Sequence, residues 1–450
     1  EYPDLVGMDE SDAVLRVQRG FVHFYPEETR NPFVALAAKG PWLVTLHGAV
    51  VHDSGGYGML GFGHPPRAVT ATLRHEQVMA NIMTANVAQL RLVDRLRATL
   101  GHTRPGGCPF DRFLCMNSGS ESMSVAARIA DARAKTMTDP GGPHEGRRIV
   151  SLGIVKGFHG RTTQPARASD STRPKYQRFL ASFRSTDDLW TVPANDVAAL
   201  REAFARADRE GVYIQALYAE PVQGEGAPGR AMTRAFYDAA RQLTLEHGSL
   251  LVIDSIQAGL RAWGVLSICD YPGFQDCAPP DIESWSKALN AGQFPLSVLG
   301  LTERAAAEYR TGIYGNTMTT NPRALDVACA VLDSLTPEVR RNIVQQGERF
   351  VADLRALRAR FPDLIAGVEG TGLLFAAELN PDRVKAIGPG SAEERCRMRG
   401  VGIIHGGRNA LRFTPHFRIT DAERALLIDT LADVLAEIEA ERTQPAGTAG

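Results

Sequence analysis

The sequence predicts an α/β fold, in which a large domain with a mostly parallel central sheet is accompanied by a smaller α+β domain. Short apolar strands alternate with amphipathic helices between about residues 110 and 320, and this alternation favours a parallel sheet covered by helices on both faces. The pattern changes from about residue 340, where one long helical segment precedes short strands and a last helix. A length of 450 residues is enough for two or more domains.

The strands and helices of the large domain are predicted from the spacing of their apolar residues. Strands are predicted for the short apolar runs 112–116, 148–153, 214–220, 249–254 and 282–286. Amphipathic helices are predicted at 124–135, 232–248 and 323–335. The segment 138–148, which is rich in glycine and proline, is typical of a surface loop.

The smaller domain is predicted to draw on both ends of the chain. We expect residues 1–75 to contribute to this domain, residues 76–325 to form the large domain, and residues 326–450 to form the C-terminal part of the small domain. Its predicted elements are strands at 43–48, 49–53, 370–379 and 410–415 and helices at 339–361 and 421–442. The polar tail 443–450 is predicted to be disordered.

The composition excludes several classes of partner. The 50 lysines and arginines balance the 51 aspartates and glutamates, and the net charge is -1, so no electrostatic argument favours nucleic acid or an acidic membrane surface. No apolar run reaches the roughly 18 residues that a membrane helix needs, and the first 20 residues lack a signal-peptide core. The six cysteines form no CxxC pair and no metal-binding spacing with histidine. We expect free thiols, no bound metal, no membrane contact and, by default, a cytoplasmic location.

The residues that carry chemistry in a parallel sheet gather at the carboxyl ends of its strands. This rule selects residues 117–120, Glu220, Asp254 and Lys287. Partial desolvation at such a position would lower the pKa of Lys287 and make its amine a nucleophile toward a carbonyl group, although most lysines are solvated surface charges. A buried Asp254 would need a cationic partner or a metal ion, and a helix cap or a surface ion pair is the alternative.

Residues 117–122, NSGSES, join a predicted strand to a helix. The backbone N–H groups of a helix N-terminus suit a phosphate group. Gly119 would allow a close approach and Ser120 would add a hydroxyl group, whereas an ordinary capping box is the alternative.

Residues 56–61, GYGMLG, match the dinucleotide-binding pattern G-x-G-x-x-G. No strong strand runs directly into them, Pro65 and Pro66 interrupt the segment after them, and no acidic residue lies about 20 positions further on. We therefore interpret them as a tight glycine turn, which argues against a NAD-dependent oxidoreductase. The sequence contains no G-x-S-x-G motif that would supply a nucleophile to pair with His159. We therefore interpret His159 as a positioning residue.

Seven segments occur in an order that is typical of one enzyme family. They are SGSES (118–122), FHGRT (158–162), EPVQGEG (220–226), DSIQAG (254–259), PDIESWSKALNAG (280–292), TMTTNP (317–322) and RFTPHF (412–417). Together they resemble the class III, ornithine-type aminotransferases of fold type I, which use pyridoxal 5'-phosphate (PLP). The resemblance extends over about residues 40–420, and seven motifs in the right order are hard to obtain by chance.

The resemblance implies how the chain would hold the PLP ring. Lys287 would carry the cofactor as a Schiff base and shuttle the proton, and Asp254 would pair with the pyridine nitrogen. Gln257 would bond to the phenolic oxygen, Phe158 would stack on the ring face, and His159 would contribute to the cofactor site.

The resemblance also implies contacts to phosphate, substrate and a second subunit. Gly119 and Ser120 would bind the phosphate group, and Thr317 would reach the phosphate of the other subunit, so that a homodimer with composite active sites is implied. Glu220 and Arg412 match a pair that governs binding of the substrate carboxylate, for which a planar guanidinium is well suited.

The implied reaction moves an amino group, with an ω-amino group of an amino acid as the expected donor and 2-oxoglutarate as the acceptor. An epimerase or a decarboxylase on the same scaffold is the alternative, because the sequence does not show which substrate bond lies perpendicular to the ring. Intact Lys287 and Asp254 argue against a non-catalytic binding protein. Ser255, Ala291 and His416 replace the Glu, Gly and second Pro of the family pattern. The first replacement removes a negative charge beside the cofactor and is expected to alter the range of donors.

Overall fold

Seven strands form the central sheet of the computed structural model, which describes residues 2–185 and 187–443. In spatial order they are Arg112–Met116, Ser297–Leu301, Ile282–Trp285, Leu250–Asp254, Val212–Ala219, Arg148–Ile154 and Leu189–Val192. The second of these strands is antiparallel to both of its neighbours, and all the remaining pairings are parallel. The prediction of a mostly parallel central sheet is confirmed.

Two strands of this sheet, Leu189–Val192 and Ser297–Leu301, were not predicted from the sequence. Both are short, and a short apolar run cannot be told from part of a helix by its periodicity alone. Position 300, inside the second of these strands, requires glycine. A β-carbon there would lie 2.7 Å from the ring of Trp285 and 2.8 Å from that of Phe110. The five strands that were predicted agree with the structure to within two residues at each end.

Burial on both faces explains why the central strands are apolar. All five residues of Leu250–Asp254 are buried. On one face, Met123 and Ile129 of a covering helix join a hydrophobic cluster that contains Leu299 of the sheet. Polar side chains that require contact with a ligand are consequently placed at the strand ends or beyond them.

The chain divides into two compact units, one of which is Arg67–Arg340 and the other of which combines Glu1–Pro66 with Arg341–Gly450. The boundaries predicted from the sequence lie after residues 75 and 325. The α-helices of the first unit are Arg67–Thr70, Val87–Thr99, Gly119–Thr138, Thr163–Ala168, Arg173–Phe179, Val197–Glu210, Arg234–Glu246, Glu303–Ala306 and Pro322–Ser334. A further helix, Pro337–Arg360, begins at the end of this unit.

Two four-stranded sheets form the second unit. One sheet contains, in spatial order, Ala35–Lys39, Trp42–Thr45, Val50–Asp53 and Val401–Gly402, and the other contains Ile365–Thr371, Leu374–Leu379, Ala410–Phe413 and Ile404–Gly406. Its α-helices are Glu10–Gln18, the larger part of Pro337–Arg360, Ala392–Met398 and Asp421–Thr443. The parallel pairing of His52 with Val401 connects the N-terminal segment to the C-terminal part of the chain. The predicted disordered tail lies outside the described residues, apart from Thr443 at the end of the last helix.

All six cysteines lie within the described part of the chain, and each is a free thiol. Among the helices of residues 2–185 and 187–443, none combines the length and the apolar character that crossing a membrane requires.

One acidic side chain lies inside the central sheet. Glu283, in the strand Ile282–Trp285, is fully buried. Its carboxyl oxygens accept hydrogen bonds from the hydroxyl groups of Ser255 and Ser267, each at 2.6 Å, and from the backbone N–H of Ile268 at 3.0 Å. None of these three partners is positively charged, and burial raises the pKa of Glu283 to about 7.

This carboxyl group should make the stability of the fold depend on pH. The folded protein binds the proton of Glu283 more tightly than the unfolded chain does, where the pKa is about 4.3. Stability should therefore fall as the pH rises from about 4 to about 7, by about 4 kcal/mol in total. Glu283→Gln keeps the shape and stays neutral, so we expect its melting temperature to exceed that of the unmodified protein at pH 8 and to match it near pH 4.5.

Thermal melting of both proteins at the two pH values measures this difference. Glu202→Gln is the matched control, because Glu202 forms an exposed ion pair with Arg209. A Glu283→Gln variant that gives the same shift in melting temperature at both pH values would contradict a raised pKa.

Candidate active site

The parallel strands bring three of the predicted residues to one edge of the central sheet. Glu220 directly follows the strand Val212–Ala219, and Asp254 is the last residue of its strand. Lys287 lies two positions beyond the strand Ile282–Trp285. Because the carboxyl ends of parallel strands lie at the same edge, an amine and two carboxyl groups are placed there together.

Asp254 and His159 are in direct contact. Nδ1 of His159 lies 3.0 Å from Oδ2 of Asp254, and the side chains are 0% and 5% exposed, respectively. The backbone N–H of Ile256 donates to Oδ1 at 3.1 Å. Nε2 of His159 is buried and has no hydrogen-bond partner among the residues that the structure describes. Both oxygens of Asp254 are thus held by protein groups, which gives the carboxylate one orientation.

Lys287 adopts an uncommon backbone conformation. Its φ is 45°, in the left-handed region that residues with a β-carbon rarely occupy. The Nζ atom of Lys287 donates to Oε1 of Gln257. Nε2 of Gln257 is buried without a hydrogen-bond partner in the described part of the chain. A buried donor of this kind needs an acceptor, and a ligand oxygen would supply one.

The helix Gly119–Thr138 begins at the same edge of the sheet. Ser118 caps it, since its hydroxyl oxygen accepts a backbone N–H of the first turn at 3.2 Å. The first N–H groups of a helix have no acceptor within the helix, so those of Gly119 and Ser120 can bind an anion. A β-carbon at position 119 would lie 2.8 Å from the side chain of Ile256, which leaves room only for glycine.

The loop at residues 158–161 lies against this helix start. The hydroxyl oxygen of Ser120 accepts the backbone N–H of Arg161 at 3.0 Å, so its own hydrogen can be donated elsewhere. A β-carbon at Gly160, whose φ is 122°, would lie 2.6 Å from that oxygen. The guanidinium carbon of Arg161 lies 5.4 Å from the ring centroid of Phe158. Phe158 therefore lies next to the helix terminus that could bind an anion.

Glu220 is buried and is held by backbone groups. The N–H of Phe158 donates to one carboxyl oxygen at 3.0 Å, and the N–H of Gly224 donates to the other at 2.8 Å. Burial raises the pKa of Glu220 to about 7, the charge of Asp254 adds to the rise, and His159 opposes it. Both protonation states of Glu220 are therefore accessible near neutral pH.

Arg412 belongs to the second unit. It lies in the strand Ala410–Phe413, opposite Ala376 and Ile404 of the neighbouring strands, and its side chain is buried. Glu220 and Arg412 thus lie in different units, and their pairing stays a prediction.

Thr317 lies in an exposed turn of the first unit. Its carbonyl oxygen accepts a hydrogen bond from Nδ2 of Asn81 at 3.4 Å. The preceding Asn316 donates from its side chain to Glu121, in the first turn of the helix at the candidate anion site. The turn is therefore anchored next to that helix terminus, while the contact of Thr317 with a second subunit stays a prediction.

The chain is similar to known aminotransferases over most of its length. It matches the family Aminotransferase class-III over residues 24–435. The acetylornithine aminotransferase of Xanthomonas axonopodis pv. citri is 34% identical over 72% of each chain. The acetylornithine aminotransferase of Neisseria meningitidis serogroup A is 31% identical over 91% of this chain and 96% of that protein.

The fold is also known from solved structures. An ornithine aminotransferase from Toxoplasma gondii, crystallised with partial occupancy of PLP at its active site, matches with a TM-score of 0.82 and 24% identity over 98% of both chains. This likeness confirms the predicted fold type. The family match supports transamination and not the epimerase or decarboxylase that the sequence left open. The chain belongs to the class-III aminotransferases and is a PLP-dependent enzyme of fold type I.

Proposed function

We propose that this enzyme moves the ω-amino group of an amino acid such as acetylornithine or ornithine to 2-oxoglutarate, with Lys287 as the lysine that binds PLP. The observation that carries the proposal is the meeting of Lys287, Asp254 and Glu220 at the carboxyl edge of the sheet. The curated relatives named for acetylornithine support this class of donor.

Several groups at this edge fit PLP. The N–H groups of Gly119 and Ser120 and the hydroxyl of Ser120 suit its phosphate. Asp254 offers a buried carboxylate for the pyridine nitrogen, and the buried Nε2 of Gln257 offers a donor for the phenolic oxygen. Phe158, half-buried beside these groups, offers a ring face for stacking. When bound, PLP supplies an electron sink for the substrate's amino-bearing carbon.

The protein's own residues then orient and transfer protons. Asp254 would favour a proton on the pyridine nitrogen of a PLP ring held beside it, because an opposite charge stabilises the ionised form. His159 acts as a positioning residue, since its Nδ1 holds the carboxylate of Asp254 at 3.0 Å. With PLP bound, the free amine of Lys287 would act as the general acid–base that takes up a proton at Nζ and returns it. Its left-handed backbone fixes where that amine emerges from the strand end.

Replacing Lys287 tests the central claim. Lys287→Ala should fold but lack the visible absorbance band of lysine-bound PLP, and its turnover should fall by about 10⁴-fold or more because the nucleophile and proton carrier are lost. We expect the band of the unmodified enzyme to shift with acetylornithine or ornithine, among donors that also include lysine and 4-aminobutyrate. Absorbance spectra and product assays measure both effects.

Lys156→Ala is the matched control, because Lys156 also has a left-handed backbone, with φ of 64°, but is exposed. It should retain the band and the activity. If Lys287→Ala kept both, the assignment of the lysine would be wrong. If only a donor without an ω-amino group shifted the band, the proposed donor class would be wrong.

We propose further that the enzyme is a homodimer in which Thr317 reaches the phosphate bound by its partner. The first unit exposes large apolar side chains that lie close in the sequence to Asn81 or to Thr317, and Asn81 donates a hydrogen bond to Thr317. The exposed side chains are Val78, Met79, Ile82, Met83, Val87, Leu90 and Met318. A group of exposed apolar side chains often marks a protein interface.

Mixing Thr317→Ala and Lys287→Ala proteins tests whether each active site combines residues of two subunits. Thr317→Ala should weaken PLP binding by about 10- to 100-fold, the range for a lost hydrogen bond to a charged group. When Thr317→Ala and Lys287→Ala subunits are mixed, each mixed dimer regains one site with both side chains. Activity at limiting PLP should therefore rise after subunit exchange. No rise in a mixture that is shown to exchange subunits would contradict the composite site.

We also propose that Glu220 and Arg412 form a switch that admits two different substrates. A bare arginine suits the α-carboxylate of glutamate and 2-oxoglutarate, but it would attract the wrong end of an ω-amino donor. A carboxylate partner would cover it in that half-reaction. The burial of both side chains and a pKa of Glu220 near 7, which makes its charge adjustable, support this role.

Arg412→Ala should weaken the binding of 2-oxoglutarate by about 2–5 kcal/mol, the range for losing one side of a buried charge pair. The half-reaction with the amine donor should be less affected. Single-turnover kinetics of the two half-reactions measure this difference, with Arg408→Ala, at an exposed position of the same hairpin, as the control. If Arg412→Ala impaired both half-reactions equally, the ion pair would have only a structural role and the proposed switch would be wrong.

A cytoplasmic location is part of the proposal. The six free thiols support a reducing compartment.

A further inference from the structure

Three side chains of the second unit that play no part in the proposed reaction converge on one point. His52 lies in the strand Val50–Asp53, His416 follows the strand Ala410–Phe413, and Glu423 lies in the first turn of the last helix. One ligand atom from each residue lies within 4.8 Å of those of the other two. Oε1 of Glu423 is 3.3 Å from Nε2 of His416 and 3.8 Å from Nε2 of His52.

His52 is the informative member of this cluster. Its side chain is 0% exposed, and neither ring nitrogen has a hydrogen-bond partner among the described residues. The distance of 3.8 Å to Glu423 is too long for a hydrogen bond. Leaving a buried imidazole without partners is costly. A hydrogen bond between His416 and Glu423 accounts for those two residues but not for His52.

Glu423 is oriented by the helix that it begins. Its Oε2 accepts the backbone N–H of Thr420 at 2.8 Å, and its own N–H donates to the hydroxyl of Thr420 at 3.2 Å. This reciprocal capping box occupies one carboxyl oxygen. The other oxygen, Oε1, is thereby directed at the two imidazoles.

We propose that Nε2 of His52, Nε2 of His416 and Oε1 of Glu423 bind a divalent transition-metal ion of the zinc class, with solvent completing the coordination. Bonds of about 2.0–2.1 Å in a tetrahedral site place ligand atoms about 3.4 Å apart. The distances of 3.3 and 3.8 Å are close to that separation. The ion would connect the N-terminal strand to the C-terminal helix of the same unit.

Residue spacing in the sequence predicts no bound metal, and the proposed site revises that expectation. Residues 52 and 416 are far apart in the chain, and only the fold brings them together. His416 occupies a position where the resemblance to the aminotransferases predicts proline. The proposal is independent of the amino-group transfer proposed above.

The experiment measures the binding of Zn²⁺ and Co²⁺ to the PLP-loaded enzyme after removal of bound metal with a chelator. Competition with a chromophoric chelator gives stoichiometry and affinity, and Co²⁺ adds ligand-field absorbance at longer wavelength than the cofactor. Two variants remove ligands, His416→Gln and Glu423→Gln. Glutamine at position 423 preserves the capping box, so this variant should keep the fold. His47→Gln is the control, because His47 is a partly exposed histidine of the same unit that pairs with Glu10.

We expect one ion per chain in the unmodified enzyme and in the control. Binding should weaken by more than about tenfold in both ligand variants and should weaken below about pH 6, where histidines become protonated. Zn²⁺ should raise the melting temperature of the unmodified enzyme and not that of Glu423→Gln. Absence of binding, or equal binding in the unmodified enzyme and both ligand variants, would overturn the proposal.

Discussion

A carboxylate that is buried at the end of a strand loses its hydrogen bonds to water. Asp254 replaces them by contacts with His159 at 3.0 Å and with a backbone N–H at 3.1 Å. The remaining groups at the edge of the sheet are arranged around this contact. Its two members act on Glu220 in opposite directions, since the charge of Asp254 raises the pKa of Glu220 and His159 lowers it. The orientation of one buried carboxylate thus affects both the cofactor side and the substrate side of the proposed site.

The positions of Glu220, Asp254 and Lys287 could be predicted because the strands that precede them are buried on both faces. Such strands appear in the sequence as short apolar runs, and their ends mark where polar residues can face a ligand. Strand bounds that agree to within two residues were enough to place all three residues at one edge. The seven motifs added the cofactor, which strand positions alone could not identify.

Contacts between distant segments were not accessible from the sequence. His159 and Asp254 are 95 positions apart, and their contact depends on how a loop folds over the sheet edge. Glu283 stood in an apolar run, where it is easily taken for the solvent-facing residue of a strand. Ala291 has a left-handed backbone, with φ of 50°, which explains a glycine in the family pattern, although the sequence showed only the replacement.

The contact between Ser255 and Glu283 limits which substitutions position 255 can accept. Their side chains are hydrogen-bonded at 2.6 Å inside the protein, so a family-like glutamate at position 255 would place a second carboxyl group beside a buried one. Two such acids would repel each other when ionised, and the effect of each substitution would depend on the other. The two positions are therefore coupled, and a glutamate at position 255 costs less stability when position 283 is neutral.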